Sequence, residues 1–189
     1  MAVDLYFVDH PGPRERAPTV VLVHGLSLDS RLWSVNVPAL VRHARVICVD
    51  MRGFGRSPRV DGPYSHTADL LNLLDHLRIE TAILVGKSAG GRWCIDFGLA
   101  HADRVKAMVL ADSSISGWAW KSFMASWVPI QTAARAGNIS EARRLWLAHP
   151  LFASAMAHPT AGSMLRQMVE EYDMWHFGHL DPNPADRKS

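Results

Sequence analysis

Thr81-Ala82-Ile83-Leu84-Val85-Gly86-Lys87-Ser88-Ala89-Gly90-Gly91 passes from four apolar residues straight into a Gly-x-Ser-x-Gly turn. A serine held at the tip of so sharp a strand-to-helix turn has a strained backbone. Side chains two positions before and after it would collide, so both must be very small. Gly86 and Gly90 meet that demand, and Gly91 lets the new helix approach the sheet. The segment fits a nucleophile elbow with Ser88 as the nucleophile. Alone the pattern is weak, since roughly one chain in fifteen of this length would carry it by chance. Context carries the inference.

On both sides of the elbow, apolar runs of strand length alternate with helical periods. Strands are expected at Thr19–Val23, Arg45–Val49, residues 81–85 and Val105–Ala111, each aliphatic on consecutive positions, as in parallel strands covered on both faces. Asp29 or Ser30 is expected to cap a helix running to about His43. Leu70, Leu71, Leu74 and Leu77 make a stripe on a helix capped near Thr67, and a third helix follows Ser88. An edge strand at residues 4–9 is expected to lie antiparallel, with Pro11, Gly12 and Pro13 turning the chain back. Strict alternation of strand and helix predicts an α/β fold with a doubly wound, mostly parallel sheet.

Other uses of the same glycines fail on spacing. A phosphate-binding loop ending in Gly86-Lys87-Ser88 needs a glycine at position 81, where Thr81 stands; a dinucleotide fingerprint from Gly53 and Gly55 needs one at position 58, where Pro58 stands. His24-Gly25-Leu26 closes the strand Thr19–Val23, and in a doubly wound sheet the carboxyl ends of neighbouring strands share one edge. The backbone N–H groups of Leu26 and Ala89 are therefore candidates for an oxyanion hole. The His24 side chain reads as loop packing.

His24-Gly25 with Trp33 downstream, the Asp-x-Arg-Gly-x-Gly-x-Ser loop at residues 50–57, the elbow at residues 86–90 and Val109-Leu110-Ala111-Asp112 together resemble the α/β-hydrolase superfamily. The likeness is to its esterase, enol-lactonase and perhydrolase-like branch and covers roughly residues 3–181. It implies a serine hydrolase acting on a small ester, thioester or lactone through an acyl-enzyme at Ser88, with no metal or organic cofactor. It makes Asp50 structural. Asp112, at the end of the strand beside the elbow strand, is a candidate acid. A helical cap over the pocket is also implied, with Trp118, Trp120, Phe123 and Met124 as candidates for an apolar lining, although any one of them is more often cap core. The family places its histidine base after a final strand that these residues do not contain, so the base is expected to be absent from this chain. His101 stands roughly 18 Å along its helix from Ser88. His149, His158, His176 and His179 read as solvated or capping residues, with His176 and His179 the best placed among them. Two rival readings remain open: a non-catalytic binding or interaction protein on the same fold, and the N-terminal piece of a two-piece hydrolase.

Domain organisation follows. Residues 1–112 form the core, residues 113–179 a helical cap and residues 180–189 a polar tail. The cap holds five of the seven Trp and five of the eight Met, which points to an apolar substrate. Its helices are expected between Pro129, Gly137, Pro150 and Pro159; one is started by Asn138 or Ser140, another carries Met164, Leu165, Met168, Val169 and Tyr172. Without further strands, Val105–Ala111 becomes a sheet edge that lacks protecting prolines and has one lysine. A homodimer, a complementing C-terminal chain or the cap is expected to cover it.

The whole composition agrees. The 189 residues are 48% hydrophobic and 20% charged with a formal charge of +2, which excludes a disordered chain. No basic cluster argues for nucleic acid, and no apolar run approaches the ~20 residues of a membrane span. Cys48 and Cys94, 46 residues apart and in apolar segments, read as buried free thiols of a reducing, cytoplasmic setting.

Overall fold

A computed structural model describes residues 4–118 and 125–178. Strands β1 (Phe7–His10), β2 (Thr19–Val23), β3 (Arg45–Val49), β4 (Ala82–Lys87) and β5 (Val105–Ala111) form one sheet in the order β1-β3-β2-β4-β5. β1 is antiparallel to β3 on one edge, and every other pairing is parallel. The doubly wound α/β sheet read from the sequence is therefore the fold. Val21, Leu22, Val23, Val46, Ile47 and Val49 are fully buried at its centre, as consecutive aliphatic residues must be when both faces are covered.

Helices α2 (His66–His76) and α3 (Ala89–Ala100) are each one-sided, burying Leu70, Leu73 and Leu74 on one and Trp93, Cys94 and Phe97 on the other. The Ser65 hydroxyl accepts the Ala68 N–H at 3.2 Å and caps α2, two residues before the expected cap near Thr67. The continuous helix expected from Asp29 to about His43 is broken. A 3₁₀ turn at Ser30–Trp33, capped by Asp29, is followed by a separate short helix α1 (Val37–Leu40). Pro38 is the cause: it has no N–H to continue the ladder and is tolerated only in a first turn.

The loop at residues 50–57 is a shaped turn, and Asp50 is structural. Its carboxylate accepts N–H groups from Ser30 (2.7 Å) and Arg56 (2.9 Å), and its carbonyl accepts the Ser57 hydroxyl at 2.5 Å. Arg52 leaves the same loop and grips Asp69 of α2 with two hydrogen bonds of 2.8 and 2.6 Å, both side chains almost out of solvent. Cys48 and Cys94 are buried free thiols, and burial pushes them up to about 11 and about 12 respectively.

The chain divides into two units, with the second starting at Trp118 rather than at residue 113. Residues 113–117 stay with the sheet because Ser114 N–H reaches Ser88 O at 3.4 Å and Ser116 donates to Asp96 at 2.6 Å. The described part of the second unit is helical: α4 (Val128–Arg135), α5 (Ile139–Leu147), α6 (Ala153–Ala157), α7 (Pro159–Glu171) and α8 (Trp175–Gly178). Its core gathers Trp146, Trp127 and Phe177, with Trp146 4.9 Å from Phe177 between ring centroids. Asn138 caps α5 and Leu165, Met168 and Val169 are buried on α7, as the apolar spacing required. Among the described residues no helix is long and apolar enough to cross a membrane.

The Arg52–Asp69 pair separates buried from exposed electrostatics. Arg52→Ala should lower unfolding stability by about 3 kcal/mol, because it strands a buried carboxylate. Arg45→Ala, which breaks the half-exposed pair with Asp9, should cost under about 1 kcal/mol. Urea midpoints of the two variants test the contrast.

Candidate active site

Ser88 sits between β4 and α3 with φ 53° and ψ −116°, a conformation that ordinary residues avoid. The surroundings hold it there. Its N–H donates to Ala111 O of β5 at 2.9 Å, and its own carbonyl accepts Arg92 N–H at 3.2 Å as the first bond of α3. The flanking glycines are obligatory. A Cβ on Gly86 would lie 2.5 Å from Gly91 Cα, one on Gly90 would overlap the carbonyl oxygens of Val23 and His24, and one on Gly91 would lie 2.5 Å from Ser113 Oγ. The turn is possible only because three neighbours of the serine carry no side chain.

The loop after β2 comes directly over this turn. A Cβ built on Gly25 would lie 3.4 Å from Ser88 Cβ and 3.3 Å from Lys87 O. Gly25 O accepts Leu28 N–H at 3.2 Å and Ser27 is left-handed at φ 63°, which closes a tight turn through Leu26. Ala89 is the first residue of α3, where N–H groups have no helical partner and the helix dipole is positive.

His24 is fully buried, and both ring nitrogens are occupied. Nε2 accepts Met51 N–H at 3.0 Å, so Nδ1 carries the proton and donates to Gly25 O at 2.7 Å. Burial pushes its pKa down, against the smaller upward pull of the Gly25 carbonyl and of Asp50 and Asp29. The imidazole is a neutral strut between the loops after β2 and β3, as the loop-packing reading expected. Asp29 lies beside it: burial alone would raise its pKa, but hydrogen bonds from Arg31 hold it below the usual carboxylate range.

The other candidates are scattered. Asp112 ends β5 in a left-handed conformation (φ 47°) with its side chain 86% exposed, and its carboxylate pairs with Lys87 Nζ at 3.0 Å. His101 is at the far end of α3. His149 and His158 act as helix caps, accepting N–H groups from Leu151 and Ala161. His149 also meets Ser126 Oγ at 2.8 Å; with Nδ1 accepting from Leu151, its Nε2 is the donor of that bond, so the pair is no base and nucleophile. His176 meets Tyr172 Oη at 2.8 Å inside the second unit. Among the described residues of the first unit no histidine is hydrogen-bonded to Ser88. Trp118 is 71% exposed, whereas Trp120, Phe123, Met124 and His179 lie outside the described residues. Sequence reading missed an aromatic cluster behind the elbow, where the Trp93 ring lies tilted against those of His66 and Phe54, with centroids 4.2 and 5.8 Å away. Only the helical spacing of Trp93 after the glycines hinted at it. Among the described residues no group of three or more His, Cys, Asp or Glu is placed to hold a metal ion.

Residues 18–182 match the family model of the alpha/beta hydrolase fold. The chain belongs to that family. Over 118 residues it is 36% identical to a protein of Caulobacter sp. (strain K31) that carries the name of a carbamate hydrolase, RutD; the match covers 60% of this chain and 42% of that one. It is 31% identical to the pimeloyl-[acyl-carrier protein] methyl ester esterase of Vibrio vulnificus (strain YJ016), over 97% of this chain and 68% of the esterase. Among solved structures, the enol-lactonase of Burkholderia xenovorans LB400 superposes with a TM-score of 0.78 at 29% identity, over 92% of this chain and 66% of that one. The match thus spans between two fifths and about two thirds of the length of these three relatives.

Two outcomes test the geometry. Gly90→Val should destabilise this alpha/beta hydrolase unit by about 3 kcal/mol or prevent folding, because the added atoms have only backbone to displace; denaturant unfolding measures it. For His24, the unfolded chain takes up a proton below about pH 6.5 while the folded chain resists it. Stability should be level above that pH and fall below it, by at most ~1.4 kcal/mol per pH unit for one proton. His149, also lowered by burial, adds a contribution of the same sign. Unfolding series between pH 5 and 7.5 should therefore show a shallower slope in His24→Asn than in the natural sequence.

Proposed function

We propose that this chain carries the nucleophile of a serine hydrolase acting on a small, largely apolar ester, thioester or lactone. The observation that carries the reading is Ser88 itself, held at φ 53° on the N-terminus of α3 with the Gly25 loop across it. Strain of this kind is kept where a side chain must be presented outward. In the reaction, Ser88 Oγ loses its proton to a base and attacks the carbonyl carbon. The Leu26 and Ala89 N–H groups hold the oxyanion of the tetrahedral intermediate. The alcohol, thiol or ring oxygen departs with a proton, leaving an acyl-enzyme that water then cleaves.

Asp112 is the acid candidate of this reading, since it ends the strand beside the elbow, and the Lys87 ion pair would have to yield for it to orient a base. The ester and lactone classes are supported by the esterase and enol-lactonase names of the relatives. A second reading has its own support. With no histidine bonded to Ser88 among the described residues of the first unit, the chain alone would be a non-catalytic scaffold, or the nucleophile-bearing piece of a hydrolase whose base comes from a partner.

Intact mass after treatment with a fluorophosphonate probe tests the first reading. The expected result is one phosphonyl group per chain, absent in Ser88→Ala. A folded chain that takes up no label would overturn the claim that this polypeptide alone is a working hydrolase.

A further inference from the structure

Taking a guanidinium out of water is costly unless a carboxylate meets it. In the first unit Arg52 is buried and Arg31, Arg45 and Arg104 are half-buried, and each has its carboxylate: Asp69, Asp29, Asp9 and Asp75 respectively. Arg92 is half-buried as well, yet among the described residues no carboxylate is paired with it. It is the exception, and it stands one helical turn from Ser88.

Its direction follows from its neighbours on α3. Gly90 faces the carbonyls of Val23 and His24, Gly91 faces Ser113, and the Trp93 ring meets those of His24, His66 and Phe54. Those directions are taken by the sheet and its loops, so Arg92 leaves the helix on the remaining side, away from the sheet. Its N–H donates to Ser88 O at 3.2 Å. Side chains on a helix lean toward its N-terminus, which carries the guanidinium toward the end of α3 that presents Ser88.

The nearby charges are already engaged. Lys87 holds its ammonium 3.0 Å from Asp112. Asp96, one turn beyond Arg92, accepts the Ser116 hydroxyl at 2.6 Å, and a cation four residues before an anion is the weaker order of such a helical pair. What remains is one guanidinium with no second cation free beside it. That suits a monoanion better than a phosphate dianion, and the planar fork of arginine matches the two oxygens of a carboxylate.

We propose that Arg92 is a specificity-determining residue that receives a carboxylate carried by the substrate, at the other end of its apolar chain from the carbonyl that meets Ser88. The inference rests on the hydrolase reading for the role of Ser88 and narrows the substrate to an ester, thioester or lactone that also bears a free carboxylate.

The test uses the Ser88→Ala chain, which turns nothing over, titrated at neutral pH with monomethyl esters of straight-chain dicarboxylic acids and with the matching dimethyl esters, followed by nuclear magnetic resonance. The expected result is a monomethyl ester that binds at least about tenfold tighter than its dimethyl partner, the scale of a charge-assisted hydrogen bond, and that shifts the Arg92 Nε–H resonance. Adding Arg92→Ala should abolish the preference and Arg92→Lys should keep part of it, both checked for folding by circular dichroism. Equal binding of the two ester series, no binding of either, a preference that survives Arg92→Ala, or an Arg92 resonance that stays paired with Asp96 and moves with neither series would overturn the assignment. Turnover by the natural sequence is read separately. Equal hydrolysis of charged and neutral esters removes the Arg92 assignment and keeps the hydrolase, whereas charge-selective binding without turnover or fluorophosphonate labelling keeps Arg92 as a carboxylate site and removes the hydrolase.

Discussion

The left-handed backbone of Ser88 is the constraint on which the first unit depends. A residue with a side chain is forced there only if everything around it is fixed, and the fixing groups come from all sides: Ala111 O of β5, the carbonyls of Val23 and His24 against Gly90, and Ser113 against Gly91. None of these contacts is individually strong. Together they leave the turn no alternative packing, so the cost of the strained residue, of order 1–3 kcal/mol, is distributed over three strands.

A second set of contacts aligns the loops around that turn. His24 ties the end of β2 to Met51, Asp50 ties the same loop to Ser30 and Arg56, and Arg52 ties it to α2. The loops after β2 and β3 and the helix α2 thus become one rigid rim by way of buried polar groups, each with its hydrogen bonds satisfied. Buried polar groups of this kind specify a single arrangement because a half-made version is worse than none.

Much of this was legible in the sequence where the signal was local. The elbow obeys a steric rule at fixed spacing, so Gly86, Gly90 and Gly91 announce it, and the aliphatic runs of β2 and β3 announce a sheet covered on both faces, whereas the similar run of β5 is partly exposed. Pro38, inside the helix expected from Asp29, was the local signal against one continuous helix. Links between distant residues were not legible. The bond from Met51 to His24 spans 27 positions, and nothing in either neighbourhood requires it. In the helical unit, abundance of tryptophan was readable but individual roles were not: Trp127 and Trp146 build the core while Trp118 stays exposed. The base that would serve Ser88 is the extreme case, because a triad is assembled by topology rather than by spacing.

The two thiols give the first unit an internal gauge of its own integrity. Cys48 on β3 and Cys94 on α3 are both buried, and burial pushes each far above the range in which a thiolate forms. Electrophiles and oxidants that modify ordinary surface cysteines therefore meet no nucleophile while the sheet is intact. Reagent uptake at either position reports the fraction of time that β3 has separated from its roof or α3 has lifted from the sheet, and the two positions report those openings separately.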